Sequence, residues 1–280
     1  MKLGLRSLNC ALAICLATSI ALPAAAQAPS QNNAPPSAQE ENFEPFIGQP
    51  GRDVVWEPSP EVTVEKMLDV ARVTPDDYVI DLGSGDGRMV IAAARRGVRG
   101  HGVEFNPKMV ALSNRRAMEA GVADRAKFMQ GDMFTANLSQ ATVLPLFLLP
   151  ENLNKLAPSF LQLKPGTRIV MNGFIVDGWD ADEAADVEGD CGRWCSVFLY
   201  IVPADVRGTW KIGEQTLELQ QKFQMLSGML GGRPISSGRM RGDQIEFSVN
   251  ATTYRGKVEG KRITGLAQDP SAPKWIAEKM

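Results

Sequence analysis

Glycines and carboxylates cluster where a buried strand is expected to end. The segment Asp81-Leu-Gly-Ser-Gly-Asp-Gly87 directly follows the short apolar run Tyr78-Val-Ile80. Because glycine has no Cβ, a turn with three glycines lets the backbone approach a ligand closely. A carboxylate at Asp81 suits an ammonium group on that ligand. This segment is therefore a candidate binding turn.

The spacing of the glycines discriminates between nucleotide ligands. A dinucleotide-binding turn has the pattern Gly-x-Gly-x-x-Gly, and Arg88 stands where its third glycine would be. A P-loop needs Gly-Lys-Ser/Thr, which does not follow here. The turn therefore favours a nucleoside cofactor without a phosphate over either of these classes.

Two further acids follow the next two predicted strands. Glu104 lies twenty-one residues after Gly83, where a carboxylate can accept hydrogen bonds from both ribose hydroxyls. Asp132 follows the third strand and is placed to accept a hydrogen bond from an adenine amino group. Taken singly, each acid is equally well a solvated charge at a strand end. Three acids at consecutive strand ends, at the edge where open α/β sheets bind ligands, favour a site.

Strands that alternate with helices are expected to position these residues. Strands are predicted at 78–81, 101–104, 127–130, 142–148 and 167–171, and helices from 62, at 88–96 and at 107–120. This order predicts a doubly wound, mostly parallel sheet with helices on both faces. The strand 196–202 breaks the alternation and is predicted to close the sheet in an antiparallel hairpin. After Pro203, short strands between glycines predict a small all-β domain.

The motifs resemble those of the class I, seven-strand S-adenosylmethionine (SAM) dependent methyltransferases. Val79–Arg88 resembles their first motif, Val103-Glu104 the acidic second and Gly131–Phe134 the third, and the resemblance covers about residues 52 to 202. It implies a Rossmann-like α/β fold and SAM as the cofactor. The cofactor-binding positions that it implies are Asp81, Gly83, Ser84, Gly85, Gly87, Glu104, Asp132, Met133 and Trp56. Trp56 is equally well a core residue.

A narrower resemblance concerns the methyl acceptor. Val55–Pro60, Leu138–Val143, Leu149-Pro150 and Pro165–Val170 resemble the branch that includes mitochondrial protein-lysine methyltransferases and bacterial relatives. This implies N-methylation of a protein lysine. The Asn/Asp-Pro-Pro-Tyr/Phe motif of methyltransferases acting on DNA adenine or on glutamine is missing after the fourth strand, which disfavours those acceptors.

No catalytic residue is assigned from the sequence. Methyl transfer from a sulfonium needs alignment and a dry site rather than a metal or a covalent nucleophile. Asn152, Asn172 and Asp177 lie near the fourth and fifth strand ends and are candidates to receive or direct the acceptor's proton. Each of them also has a purely structural interpretation.

The chain is expected to be exported. Lys2 and Arg6 precede an apolar stretch, and Ala24–Ala28 offers small residues for signal-peptidase cleavage, which predicts a signal peptide at residues 1–28 and a periplasmic location. An uncleaved anchor and a lipoprotein signal at Cys15 are the alternatives. The predicted domains are a disordered spacer at 29–51, the methyltransferase domain at 52–206 and the β-rich domain at 207–280.

Charge divides the chain into two parts. Residues 29–206 hold 16 basic and 25 acidic side chains, whereas residues 207–280 hold 12 and 7. The balance excludes a generally basic nucleic-acid binder and leaves a protein or small molecule as the methyl acceptor. The acidic run 177–190 either steers a basic acceptor or is a solvated loop. The positive charge of the β domain leaves three possible binding partners for it: the substrate, the acidic first domain or an anionic membrane surface.

Cys191 and Cys195 are the two cysteines outside the predicted signal peptide. Their spacing in an exported protein favours a local disulfide over two free thiols. A zinc site is rejected, because two ligands are too few and His101 is distant in sequence.

The sequence is compatible with three functional hypotheses. The motifs favour an active methyltransferase acting on a protein lysine or a small molecule. A binding or interaction protein with an unused SAM site is the alternative from a different class, and its motivation is export away from the cytosol. An aminopropyltransferase is disfavoured, because Leu146–Leu149 offers no acid after the fourth strand.

Overall fold

The computed structural model describes residues 43–267 and 274–280. The predicted signal peptide at residues 1–28 lies outside the described residues. Within the described ranges, no helix has both the length and the apolar character needed to span a membrane.

A seven-stranded sheet forms the first half of the fold. Its strands are β1 (Tyr78–Leu82), β2 (Arg99–Glu104), β3 (Ala126–Gln130), β4 (Val143–Leu146), β5 (Arg168–Asn172), β6 (Glu183–Asp186) and β7 (Ser196–Ile201). They lie in the order β3-β2-β1-β4-β5-β7-β6. The first five are parallel, and β7 runs antiparallel to both β5 and β6. The predicted doubly wound, mostly parallel sheet closed by an antiparallel hairpin is confirmed.

Helices cover both faces of this sheet, as predicted. They are α1 (Glu61–Val70), α2 (Arg88–Arg95), α3 (Pro107–Glu119) and α4 (Pro150–Phe160). Met67 of α1 and Val90 of α2 pack with Val79 of β1 on one face. Leu156 and Phe160 of α4 pack on the other face, which places the core between the layers.

The remaining strands form a β-barrel. They are β8 (Gly208–Ile212), β9 (Gln215–Lys222), β10 (Met225–Leu230), β11 (Arg233–Pro234), β12 (Ser236–Arg241), β13 (Gln244–Val249), β14 (Thr252–Glu259), β15 (Arg262–Ala267) and β16 (Lys274–Lys279). All pairings are antiparallel, and β10 pairs with both β9 and β12, so that eight strands close and β11 adds to the edge of β10. Buried Trp210, Met240 and Phe247 contribute to its separate core. The predicted small all-β domain is confirmed.

The turn between β9 and β10 docks the barrel against the first domain. Phe223 adopts a left-handed conformation with φ of 51° and stacks on Trp179, with ring centroids 5.0 Å apart. The buried Gln224 donates from Nε2 to the backbone oxygen of Asp180 at 2.6 Å. A positive φ is uncommon in a residue other than glycine. At Phe223 this conformation occurs together with the stacking of its ring on Trp179.

Two acids of the acidic run 177–190 take part in this interface, and the steering role of the run stays a prediction. Asp182 accepts hydrogen bonds from Arg239 of β12 at 2.9 Å and from the backbone nitrogen of Ile201 at 2.8 Å. Glu183 pairs with Arg241 of β12. The basic barrel therefore meets the acidic first domain, one of the three possibilities that its charge left open.

The segment just before the methyltransferase domain also makes contacts. Residues 43–51 fall in the predicted spacer, yet the backbone oxygen of Phe43 accepts a hydrogen bond from Arg115, and Glu44 pairs with Arg116 at 3.2 Å. Polar contacts to α3 therefore hold a segment that has no apolar periodicity.

The predicted local disulfide is confirmed. Cys191 and Cys195 are bonded, with their Cα atoms 5.2 Å apart. Both pack against the apolar cluster under α1 and α2.

Candidate cofactor site

The glycine turn forms the floor of a cleft at the carboxyl ends of the parallel strands. Gly83 and Gly85 have positive φ, of 70° and 54°. A Cβ on Gly85 would lie 3.0 Å from Nε1 of Trp56, so a side chain there would close the space between the turn and the indole. Glycine is required at this position by both backbone conformation and close approach.

Gly87 serves packing and does not line the cleft. It precedes α2 with φ of 82°, and a Cβ there would lie 2.8 Å from Cβ of Ser113 and 2.7 Å from the ring of Phe128. Gly87 was predicted to contact the cofactor, but the structure places it where the turn packs against α3 and β3.

Glu104 holds the turn and the start of α3 together. Its Oε2 accepts a hydrogen bond from the backbone nitrogen of Gly85 at 3.0 Å, and its Oε1 accepts one from Asn106 at 2.8 Å. Glu104 also lines the cleft and is half-buried. A carboxylate held by two backbone donors is fixed in position and keeps lone pairs for further donors such as ribose hydroxyls.

Asp132 lies across the cleft from the turn and already has two partners. Its Oδ1 accepts a hydrogen bond from the backbone nitrogen of Phe134, and its Oδ2 accepts one from Arg52 at 2.9 Å. The Phe134 bond first, and then Arg52, hold the pKa of the Asp132 carboxyl below its usual range despite some desolvation. Next to it, Met133 is buried and also lines the cleft.

The segment before α1 covers the cleft. Gly48 donates to the backbone oxygen of Trp56 at 2.9 Å, and Trp56 donates back to Gln49 at 2.8 Å. The resulting loop carries Arg52, whose guanidinium carbon lies 4.6 Å from the ring centroid of Phe105. Arg52 therefore bridges two walls of the cleft. It has no motif around it, and the sequence did not predict it.

The cleft has a volume of about 110 Å³ and is lined by the cover segment and by residues at the ends of the parallel strands. It brings together six predicted residues, Trp56, Gly83, Gly85, Glu104, Asp132 and Met133. Val103, Phe105, Met109, Phe147 and Leu148 were not predicted and supply apolar walls. A smaller adjoining recess contains Asp81 and Ser84, and shares Trp56, Gly83, Gly85 and Phe147 with the cleft.

Asp81 is a buried acid without a hydrogen-bonding partner among the described residues. Burial first, and then the charges of Glu104 and Asp86, raise the pKa of its carboxyl well above the usual range. The buried hydroxyl of Ser84 in the same recess also lacks a partner in the described part of the chain. A cationic ammonium group with several N–H donors matches both side chains.

Asp86 at the same turn behaves oppositely. Its carboxylate is paired with Arg88 at 2.6 Å and with Arg116. Although burial alone would raise the pKa of Asp86, the two guanidinium groups hold it below the usual range. Asp86 therefore stays ionised and stabilises the start of α2, while Asp81 remains available to a cation.

The three candidates for handling the acceptor's proton differ in their surroundings. Asp177 is exposed and accepts a hydrogen bond from Asn154 at 2.8 Å, and Asn152 is a half-buried residue of α4. Asn172 at the end of β5 is 1% exposed, and neither its Oδ1 nor its Nδ2 has a partner in the described ranges. Asn172 is therefore the candidate whose polar atoms are unexplained by the fold.

His101 lies away from the cleft. It is buried in β2, and its Nδ1 lies 3.1 Å from the hydroxyl of Tyr78. Burial lowers the pKa of the His101 imidazole. Among the described residues, no group of three His, Cys, Asp or Glu side chains is arranged to hold a metal ion.

The sheet order, the glycine turn and the two strand-end acids together define a nucleoside-cofactor site of the Rossmann-like kind. The residues fit SAM in particular: the recess at Asp81 suits its ammonium group, Glu104 suits ribose hydroxyls, and the apolar walls suit an adenine ring.

Comparison with known proteins agrees with this class. Residues 81–183 match the model of the ANTKMT methyltransferase domain. A protein-lysine N-methyltransferase of Saccharolobus islandicus is 39% identical over 153 residues, which are 53% of this chain and 94% of that protein. The adenine nucleotide translocase lysine N-methyltransferase of Mus musculus is 32% identical over 137 residues, which are 48% of this chain and 55% of the mouse protein.

A solved structure is also similar. It is described as an RNA methyltransferase of Salinibacter ruber in complex with S-adenosyl-L-homocysteine (SAH), is 44% identical and has a TM-score of 0.50, with 54% of this chain and 96% of that chain covered. The chain therefore belongs to the class I SAM-dependent methyltransferases. Its cofactor is SAM. The match to the Saccharolobus protein spans nearly its whole length, whereas the match to the mouse protein spans little more than half of it.

Proposed function

We propose that this chain methylates the ε-amino group of a lysine in an exported or envelope protein. The observation that carries the proposal is the match over 94% of a protein-lysine N-methyltransferase, at 39% identity. The intact cleft supports an active enzyme over a binding protein with an unused site, since Asp81, Glu104 and Asp132 are all in place around it.

The chemistry needs little from the protein beyond positioning. When bound, SAM supplies a methyl group already activated by its sulfonium. Glu104 and the glycine turn would hold the nucleoside, and Asp81 would hold the ammonium end. Trp56 and the cover loop would exclude water. The acceptor lysine arrives as an ammonium and must lose a proton before it reacts, and water at the open mouth of the cleft can take that proton.

The direct test is to label the acceptor. The purified protein is incubated with methyl-labelled SAM and an envelope fraction, and the products are separated and analysed by mass spectrometry. We expect label on lysine side chains of protein, and none with the Glu104→Ala variant. Label that is removed by ribonuclease, as an RNA methyltransferase like the Salinibacter protein would produce, would contradict the proposal, as would label in small molecules alone.

Export is proposed on separate grounds. The charged start and apolar stretch of residues 1–28 support it, and so does the Cys191–Cys195 disulfide, because such bonds persist in oxidising compartments. Cell fractionation followed by N-terminal sequencing tests this. We expect a periplasmic chain that begins near residue 29, and a cytosolic chain with an intact Met1 would refute it.

A further inference from the structure

Three aromatic rings meet beyond the carboxyl ends of β4 and β5. The ring centroid of Trp194 lies 4.6 Å from that of Phe174 and 6.3 Å from that of Phe147, and the two phenylalanines are 6.1 Å apart. All three side chains are half-buried, and Phe147 lines both the cleft and the recess at Asp81. We call Phe147, Phe174 and Trp194 the aromatic wall. It extends from the cofactor cleft toward solvent.

The backbone at the end of β5 is shaped to admit Trp194. Gly173 has φ of 69°, and a Cβ on it would lie 3.0 Å from Cβ of Trp194. Gly173 also donates a hydrogen bond to the backbone oxygen of Ser196 at 2.8 Å, which joins β5 to the start of β7. Any larger residue at position 173 would push the indole away from Phe174.

Trp194 lies inside the loop that the disulfide closes. Cys191 and Cys195 flank it, and both pack against the apolar cluster under α1. On the other side, the α-carbon of Gly192 faces Pro60, at the end of the segment that covers the cofactor cleft. The disulfide therefore ties the residue that carries the indole to the core of the first domain.

The chemistry of the wall matches an aliphatic amine. Aromatic faces attract ammonium cations, and they also pack against methylene groups. A lysine side chain has both parts. Phe147 lines the recess that suits the cofactor's own ammonium end, and Phe174 and Trp194 are half-buried beside it.

We propose that the aromatic wall binds the methyl-accepting amine and that the Cys191–Cys195 disulfide holds Trp194 in position for this. The inference rests on the proposed function and deepens it, because it assigns the acceptor subsite and makes that subsite dependent on the disulfide. A dithiol reductant converts the disulfide to two thiols and is itself oxidised to a cyclic disulfide. Reduction then frees the loop and weakens amine binding, while cofactor binding persists.

The test uses n-butylammonium chloride as a probe for the lysine side chain. The probe is titrated into the full chain saturated with SAH and followed by nuclear magnetic resonance. We expect saturable binding to the wild-type protein, about tenfold weaker binding by Trp194→Ala, since a lost contact of about 1.4 kcal/mol is tenfold, and near-wild-type binding by Trp194→Phe. Ile175→Ala, at an exposed apolar residue beside Phe174, is the matched control and should bind as the wild type does.

Reduction is tested on the same probe. Dithiothreitol should weaken binding to the wild-type protein and have no further effect on Cys191→Ala/Cys195→Ala, which starts weak. SAH affinity, measured by calorimetry, should be unchanged in all these variants, which separates loss of the amine subsite from unfolding. Equal probe affinity in Trp194→Ala and wild type, or in oxidised and reduced wild type, would overturn the inference.

Methylation of lysine peptides, assayed separately, distinguishes this inference from the proposed function. If no lysine peptide is methylated but the probe binds in a Trp194-dependent way, the amine subsite stands and the lysine acceptor is wrong. If lysine peptides are methylated and Trp194→Ala has an unchanged KM for them, the lysine acceptor stands and the subsite is refuted.

Discussion

Asp81 carries a pH dependence that can be predicted in sign. Its pKa is raised by burial and by neighbouring Glu104 and Asp86, and no described residue donates a hydrogen bond to it. Below about pH 7 the α-ammonium group of the cofactor stays charged, so its own charge does not change when the Asp81 carboxyl takes up a proton. As the pH falls through the raised pKa, the carboxyl takes up a proton and its attraction for the cofactor's ammonium is lost. SAM affinity should therefore increase with pH over this range.

Calorimetric titration with SAM at several pH values tests this expectation. Asp81→Asn should bind SAM more weakly and with a flatter pH profile, because the amide does not titrate. A slope that is identical in the variant and the wild type would place the titrating group elsewhere.

A substitution at Asn172 is expected to change stability and turnover in opposite directions. The amide of Asn172 is buried without hydrogen-bonding partners in the described ranges, which costs free energy. Asn172 lies two residues after Val170 in β5, on the same face of the sheet. Val170 pairs with Pro145 of β4, which lines the recess at Asp81. Asn172→Val should raise the free energy of unfolding by about 1 kcal/mol, since an unpaired buried polar group is removed. If the amide directs the acceptor amine, turnover should fall about tenfold, the effect of about 1.4 kcal/mol in the transition state.

Denaturant unfolding and initial-rate kinetics measure the two effects on one protein. Asn152→Ala, a substitution in α4, is the control for a nearby amide. A variant that is more stable and fully active would show that Asn172 has no part in catalysis.

At the residue scale, local motifs made part of the site predictable. Asp81, Glu104 and Asp132 each lie within two residues of the carboxyl end of a strand, so the parallel sheet necessarily brings them to one edge. Arg52 and Trp194 could not be predicted in this way. They reach the site through a cover loop and a disulfide loop, whose course depends on tertiary contacts rather than on a repeating pattern.

At the element scale, the cover loop depends on one guanidinium. Arg52 bonds to Asp132 at 2.9 Å and lies over the ring of Phe105, so it joins the loop to the far wall of the cleft. Arg52→Ala should speed dissociation of SAM by about threefold to tenfold, because a partly exposed ion pair and a cation–π contact together contribute about 1 kcal/mol. Stopped-flow displacement of SAM by excess SAH measures this rate.

Arg52→Lys is the matched control. It keeps the charge but loses the planar group that covers Phe105, so its rate should lie between those of the wild type and Arg52→Ala. Equal dissociation rates in all three proteins would mean that the loop does not retain the cofactor.

Elements were predictable where the pattern was strong. The five parallel strands and the helices α1 to α3 followed from apolar periodicity. The helix α4 was missed, because Pro150 at its start and Pro158 inside it resemble turn signals, although proline is favoured in the first turn. The strand β6 was missed because it consists of two acids and two alanines, and its pairing with β7 does not depend on an apolar pattern.

At the scale of the whole molecule, the opposite charges of the two domains are used in their contact. The sequence indicated an acidic first part and a basic second part, but it did not indicate which acids would be covered. The structure pairs Asp182 with Arg239 and Glu183 with Arg241, next to the stacked rings of Trp179 and Phe223. Two of the seven acids in the run 177–190 therefore help to hold the barrel.

Loss of Arg239 tests this arrangement. The side chain of Asp182 is 1% exposed, so Arg239→Ala leaves a buried carboxylate whose remaining hydrogen bond comes from the backbone of Ile201. We expect the free energy of unfolding to fall by about 1 to 2 kcal/mol, the usual cost of an unpaired buried group tempered by the partial exposure of the arginine. Denaturant unfolding of the full chain measures this change.

The double variant Asp182→Asn/Arg239→Ala completes a thermodynamic cycle for the pair. It should recover part of the lost stability, because the uncompensated charge is removed together with its partner. The Michaelis constant for a basic lysine peptide should be unchanged in Asp182→Asn at low salt, since the covered carboxylate is not available for steering. A raised Michaelis constant with unchanged stability would instead return the acidic run to a role in recruiting the acceptor, and would make the barrel contact incidental to it.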